Sequence, residues 1–312
     1  MLNFCLKSFA VFALVLCNSA YADTVGGFIT DYRLALEEGE VSHIVDIDND
    51  TLLMNRDDGF YTSGMRYTHK YGLRRSDGQE NFGWRIGQEL YTASDIKVLP
   101  QFVGPPDHPY AGWLYGGVFK ESYREDGTYL RYGIDIGCIG PCAGGEWVQT
   151  QFHRLINQPL PQAWDKQVKN EFGAVLYAEF APVRWTLGRS ADVSPYFKAR
   201  FGNIFTDADA GLLLRAGQLD VLPGQSTLHG FLRMDARMVG HNAALQGGYF
   251  SKNNPHTVKP KSVVGEAEIG VAWTQGAYGA RISLVRRGNE IRGLPNSTGA
   301  QNFVRLQFGY TP

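Results

Sequence analysis

The chain has 312 residues, 13% of them aromatic, and an almost balanced charge of 30 basic against 31 acidic side chains. That balance supplies no basic surface for nucleic acid and excludes that class of partner. After the first two dozen residues no apolar run approaches the roughly 20 residues that a membrane-spanning helix needs, so a membrane location would require a closed barrel of strands.

The chain opens on an address. Lys7 precedes the apolar stretch from Phe9 to Leu16, and Ala20-Tyr21-Ala22 puts small residues at both recognition positions of a cleavage site. Residues 1–22 therefore read as a signal peptide and residues 23–312 as one exported domain that begins at Asp23. Lipidation at Cys17 fits less well, because the large Leu16 stands where such signals need a small residue.

Segments of about ten residues with a period of two follow, the length at which a tilted strand crosses a bilayer. Such stretches lie near residues 41–47, 64–71, 82–91 and 111–123. In residues 128–137, Leu130, Tyr132, Ile134 and Ile136 oppose Tyr129, Arg131, Gly133 and Asp135. Cys138 and Cys142 then bracket a Gly-Pro turn and are open to two readings, a disulfide or a pair of free thiols. Two cysteines alone do not make a zinc site, which takes three or four protein ligands.

The period changes next. From Gly145 to Asn157, Val148, Phe152, Leu155 and Ile156 recur at helical spacing, with Gly144 before and Pro159 and Pro161 after, so a short helix is predicted over 145–157. Glu146, Gln149 and His153 fall at i, i+3 and i+7 on its other face, a spacing that lets their polar ends converge.

Alternation then resumes in residues 171–180, 193–204 and 228–239. Residues 266–273 and 278–284 are joined through Gln275-Gly276, as in a hairpin, and 304–310 form an aromatic-ended last strand. The count is near twelve strands and the fold class all-β, a transmembrane antiparallel barrel. A soluble sandwich has the same period, but Arg, Glu and Asp on the inward set favour a polar-filled barrel over a dry core.

Four polar clusters stand out. Asp46-Ile47-Asp48-Asn49-Asp50 is oxygen-rich and suits either a hard cation such as calcium or a solvated acidic turn; it lacks EF-hand spacing. Tyr61-Thr62-Ser63-Gly64 has no Gly-x-Ser-x-Gly frame to make Ser63 a nucleophile. Residues Asp107 to Gly112 read as a rigid turn. His153 beside Gln149 is either a general base held by an amide or a satisfied structural histidine.

At these residues the chain resembles the lipid A 3′-O-deacylase family of Gram-negative outer membranes. The matching blocks are Asn49-Asp50, Tyr61-Thr62-Ser63-Gly64, Asp107 through Trp113, and Tyr132 through Pro141, continuing with Gly144-Gly145, Val148-Gln149, His153-Arg154 and Ala163-Trp164. Their order and spacing run from near residue 41 to about residue 173, with weaker likeness through the later strands.

The resemblance implies a twelve-stranded monomeric barrel in the outer membrane, acting on lipopolysaccharide, with its site among inward-facing groups near the outer-leaflet end. Residue by residue it implies that His153 is the base and Gln149 a supporting amide. Thr62 becomes a site hydroxyl, Asn49 and Asp50 the oxyanion and metal residues, and calcium the cofactor. Two departures stand out: Pro159 occupies the position of an acidic site residue six places after the histidine, with Glu146 a substitute, and His108 stands where many relatives carry Arg. The rival readings are another outer-membrane acyl-ester hydrolase, such as a phospholipase, and a barrel without catalysis, such as a porin.

Overall fold

The computed structural model describes residues 25–50, 52 and 59–312, so the proposed signal peptide lies outside the described residues. A helix, α1 (Val25–Glu38), precedes β1 (Glu40–Asn49), β2 (Phe60–Arg75), β3 (Gly78–Thr92), β4 (Ala111–Arg124) and β5 (Tyr129–Ile139). The helix α2 (Gly145–Leu155) separates these from β6 (Glu171–Ala181), the two-residue β7 (Trp185–Thr186), β8 (Ala191–Gly202), β9 (Phe205–Gln218) and β10 (Thr227–Asn242). After the short α3 (Ala243–Gln246) come β11 (Val263–Gln275), β12 (Tyr278–Arg287), the short α4 (Asn296–Gly299) and β13 (Gln301–Tyr310).

Each long strand pairs antiparallel with its chain neighbours, β6 pairs with β8, and β1 pairs with β13, so twelve strands close into a barrel with β7 as a side ribbon on β8. Closure satisfies every edge, which a backbone in hydrocarbon requires. The twelfth strand, β9, is the one that alternation did not single out.

The outer wall is greasy. Val118, Ile136, Leu176, Ile269, Ile282 and Phe308 are all exposed, on positions that alternate with the inward residues of their strands. The inner wall is charged, and its charges are paired across strands: Arg66 to Asp46 at 3.0 Å, Arg305 to Asp48 at 2.8 Å, and Arg287 to Glu266 at 2.7 Å. Pairing offsets the cost of taking these ions out of bulk water. Inner-wall glycines make room for rings: a Cβ on Gly87 would lie 2.6 Å from its register partner Tyr115, and one on Gly211 2.6 Å from Tyr196.

The two ends differ. At the end holding the strand termini Glu40 and Tyr310, β2 and β3 are joined by residues 76–77, β4 and β5 by 125–128, and β11 and β12 by 276–277. Longer connections, 93–110, 140–170, 243–262 and 288–300, gather at the other end. Short periplasmic turns and long external loops are the habit of outer-membrane barrels, so the second end faces outward from the cell.

The lumen is not a channel. Tyr61, Tyr91, Trp113, Tyr115, Phe205, Val285 and Phe303 form a buried apolar cluster inside its external end. Beneath this lid a charged cavity of about 520 Å³ is lined by residues such as Arg66, Arg85, Glu121 and Glu268.

Candidate active site

Strand register and packing place the candidate residues on one part of the wall. Asp46 and Asp48 face the lumen, where arginines hold them, so Asn49 takes the outer side of β1. It pairs in register with Ser63 on β2. Just before Ser63 the pairing of β2 with β3 slips, and Thr62 is the extra residue between Tyr61 and Ser63. A bulge re-aims the side chain that it carries. Tyr61 turns inward and donates to the Asp48 carboxylate at 3.1 Å, whereas the buried Thr62 hydroxyl meets that of Thr92 at 2.7 Å. Thr92 shares the outward alternation of Trp84 and Ile86.

Asp50 follows Asn49 and is buried; its carboxylate accepts from the Gly59 amide at 3.0 Å, and the Asn49 side chain accepts from the Leu52 amide at 3.2 Å. These two side chains therefore fix both ends of the connection that leads into Thr62.

Helix α2 lies against the outside of β3 and β4. The turn before it is set by Cys138 and Cys142, which are joined as a disulfide, and by Gly144 at φ +66. Gly145 permits the close approach: a Cβ there would stand 2.7 Å from the Trp164 ring and 2.8 Å from Leu90. Gly145→Leu should accordingly push the helix off the wall and lower the thermal unfolding temperature, by an overpacking cost of about 1–3 kcal/mol, with the barrel itself intact by its gel mobility before heating.

The helix is inside out for a soluble protein. Gln149 and His153 are buried against the wall, whereas Trp147 is 68% exposed and Leu155 81% exposed. Such a helix has its polar groups at a site and its apolar ones in lipid. Gln149 accepts the indole N–H of Trp164 at 2.9 Å, and Trp164 belongs to a buried cluster with Leu90, Ala93 and Tyr110. Leu90 is the register partner of Ser63. The helix is thereby tied to the part of the wall that carries Asn49, Thr62 and Thr92.

His153 Nδ1 lies 2.6 Å from the Pro159 carbonyl oxygen. A carbonyl only accepts, so Nδ1 carries a proton and donates it, which fixes the orientation of the ring. In the neutral ring this tautomer leaves Nε2 as the acceptor nitrogen, the one a general base uses. Pro159, the departure noted in the sequence, is present at His153 through its backbone carbonyl, whereas Glu146, the substitute named there, is exposed.

His108, the other departure, is buried. It is 1% exposed, stacked 5.6 Å from the Tyr91 ring in the barrel mouth, and its Nδ1 is 2.6 Å from the Pro109 carbonyl. Burial pushes its pKa below the usual histidine range.

The expectation of an inward-facing site is corrected. The lumen positions at this height are taken by the apolar lid, and the bulge at Thr62 turns the candidate face outward. Asn49 and Asp50 offer oxygen atoms of the hard kind that calcium prefers. Among the described residues no group of three or more His, Cys, Asp or Glu comes together to hold a metal. The fit is therefore one of donor type, and further ligands would come from water or from substrate oxygens. Thr92 and the Trp164 indole are contributors that the motif reading did not assign; only register and packing reveal them.

The comparisons with known proteins bear on this arrangement. The family model described as outer membrane protein LpxR matches residues 9–311. The chain belongs to the LpxR family. Like that family, it is an outer-membrane protein, and the barrel described above is its membrane domain. The solved structure of LpxR from Salmonella typhimurium is similar at a TM-score of 0.72 and 22% identity, covering 87% of this chain and 100% of that one. The β domain of the Bordetella autotransporter BrkA matches at a TM-score of 0.45 and 13% identity, over 88% of this chain and 98% of that one. No curated protein sequence matches the chain.

Proposed function

We propose that this LpxR-family chain is a lipid A deacylase that hydrolyses the 3′-linked acyloxyacyl ester in the outer leaflet. The observation that carries the reading is the His153 imidazole, oriented through Nδ1 by the Pro159 carbonyl on a helix that packs outside the wall at its external end. That height is where lipopolysaccharide esters lie.

In this reading Nε2 of His153 takes a proton from a water molecule as the water oxygen attacks the ester carbonyl. The tetrahedral oxyanion collapses, the bond to the sugar 3′ oxygen breaks, and the imidazolium returns its proton to that leaving oxygen. The products are a free fatty acyl carboxylic acid and the 3′ hydroxyl, and no acyl-enzyme forms. Asn49 and the Thr62 hydroxyl supply neutral donors for the oxyanion. Gln149 holds the helix to Trp164 and so fixes the height of the base. Calcium, when bound by Asp50 and Asn49, would supply Lewis-acid polarisation of the carbonyl.

The test is mass spectrometry of lipid A from cells expressing the protein, which should lose the mass of the 3′ acyloxyacyl group. Release of lysophospholipid with unchanged lipid A would replace this reading by a phospholipase. The porin reading meets the aromatic lid of the lumen. Purified protein in planar bilayers should show conductance near background, and open channels of porin size would revive it.

A further inference from the structure

Helix α1 has no part in the proposed hydrolysis, and it sits in an unusual place. On β2 and β3 the residues that alternate with the luminal Arg66, Lys70 and Arg85 face outward, among them Leu73, Phe82 and Trp84. The helix packs on that outer side: Phe28 and Tyr32 meet the Phe82 ring edge-on at 5.5 and 5.8 Å, and Ala35 is fully buried in a cluster with Leu73. Asp31 pairs with Arg75 at the last residue of β2. The helix therefore lies outside the barrel, along its periplasmic rim, rather than in the lumen.

At 100° per residue the helix divides into three sides. Asp31, Leu34 and Ala35 face the wall, where they help to cover an outward ion cluster in which Glu80 holds Lys120 at 3.2 Å and Arg124 at 3.4 Å. Thr30, Arg33 and Glu37 form a polar flank. The remaining flank is Phe28, Ile29, Tyr32 and Leu36, all exposed although apolar or aromatic. Beyond it on the wall stand Tyr71, His69 and Trp84, in mutual ring contact, as in the aromatic belt of a membrane interface.

We propose that α1 is an interfacial anchor, with its Phe28, Ile29, Tyr32 and Leu36 flank set among the phospholipids of the periplasmic leaflet and its polar flank in water. Continuity with the barrel's own lipid-facing belt selects this occupant. The proposal is independent of the hydrolytic reading.

Site-directed spin labelling tests it on the full chain, with Cys5 and Cys17 replaced by serine, in vesicles of phosphatidylethanolamine and phosphatidylglycerol. Cys138 and Cys142 are joined and do not compete for the label. Ile29→Cys and Leu36→Cys labels should collide with oxygen several-fold more often than with a water-soluble nickel chelate, and Arg33→Cys and Glu37→Cys labels should show the reverse. Correct barrel folding of each variant is checked by its gel shift on heating. Nickel access at all four positions would overturn the proposal. So would shielding of positions 29 and 36 from both reagents that is relieved by diluting the protein in lipid, since a second copy would then be the occupant.

Discussion

Replacing His153 by alanine should leave a barrel that inserts and migrates normally but hydrolyses the lipid A ester roughly 10²- to 10⁴-fold more slowly, the usual contribution of a positioned general base. The structure makes the two halves of this expectation separable. The imidazole donates from Nδ1 to the Pro159 carbonyl, and in the proposed hydrolysis it also accepts at Nε2. His153→Asn retains a donor that can reach the carbonyl but removes the base. It should fold like the parent and be as inactive as alanine. If His153→Asn hydrolyses lipid A at near the parental rate, the base assignment is lost and His153 is a structural histidine that ties α2 to the 157–163 turn. Lipid A mass spectrometry reads the outcome directly, and thermal unfolding guards against a trivial loss of fold.

How much of this was legible beforehand depends on which physical signal each feature leaves in sequence. Strands with large outward side chains show clearly: Leu130, Tyr132, Ile134 and Ile136 on β5 alternate with luminal partners as read. β9 did not show, because its outward Ala208 and Ala210 are small and Leu212-Leu213-Leu214 is a continuous apolar run that blurs the period. The two-residue connection 203–204 hid its start as well. Helix α2 was visible from its change of period, but its sidedness was not. Periodicity says which residues share a face, and not whether that face meets protein or lipid. Val148, Phe152, Leu155 and Ile156 recur at helical spacing, and of these Phe152, Leu155 and Ile156 are exposed while Gln149 and His153 are buried.

The site was legible as a set of residues and illegible as a place. Strict alternation assigns Thr62 to the same side as Arg66, which is the lumen, and a single extra residue in the pairing of β2 with β3 reverses that. Nothing in Tyr61-Thr62-Ser63-Gly64 announces the slip. The Cys138–Cys142 pair was undecided between thiols and a disulfide for the same kind of reason, since spacing permits both and only the turn's geometry joins them.

Asp50 should be the second indispensable side chain, and the pattern of its variants distinguishes a metal role from a scaffold role. Asp50→Ala removes both the negative charge and the acceptor for the Gly59 amide. Activity should fall by about 10² to 10³, the scale seen when one group that stabilises a developing oxyanion is deleted. Asp50→Asn keeps an acceptor for Gly59 but not the charge, so the 50–59 connection stays anchored while affinity for a hard cation drops. If Asp50 holds calcium, the asparagine variant should fall nearly as far and regain part of its rate at high calcium. A chelator should bring the parent down to the level of Asp50→Ala, reversibly on adding calcium back, and should leave the alanine variant where it was. Asp50→Asn with full activity, in a parent indifferent to chelators, would show that the carboxylate serves only as a clamp on Gly59. The oxyanion would then rest on neutral donors such as Asn49 and Thr62, and the hydrolysis on His153 alone.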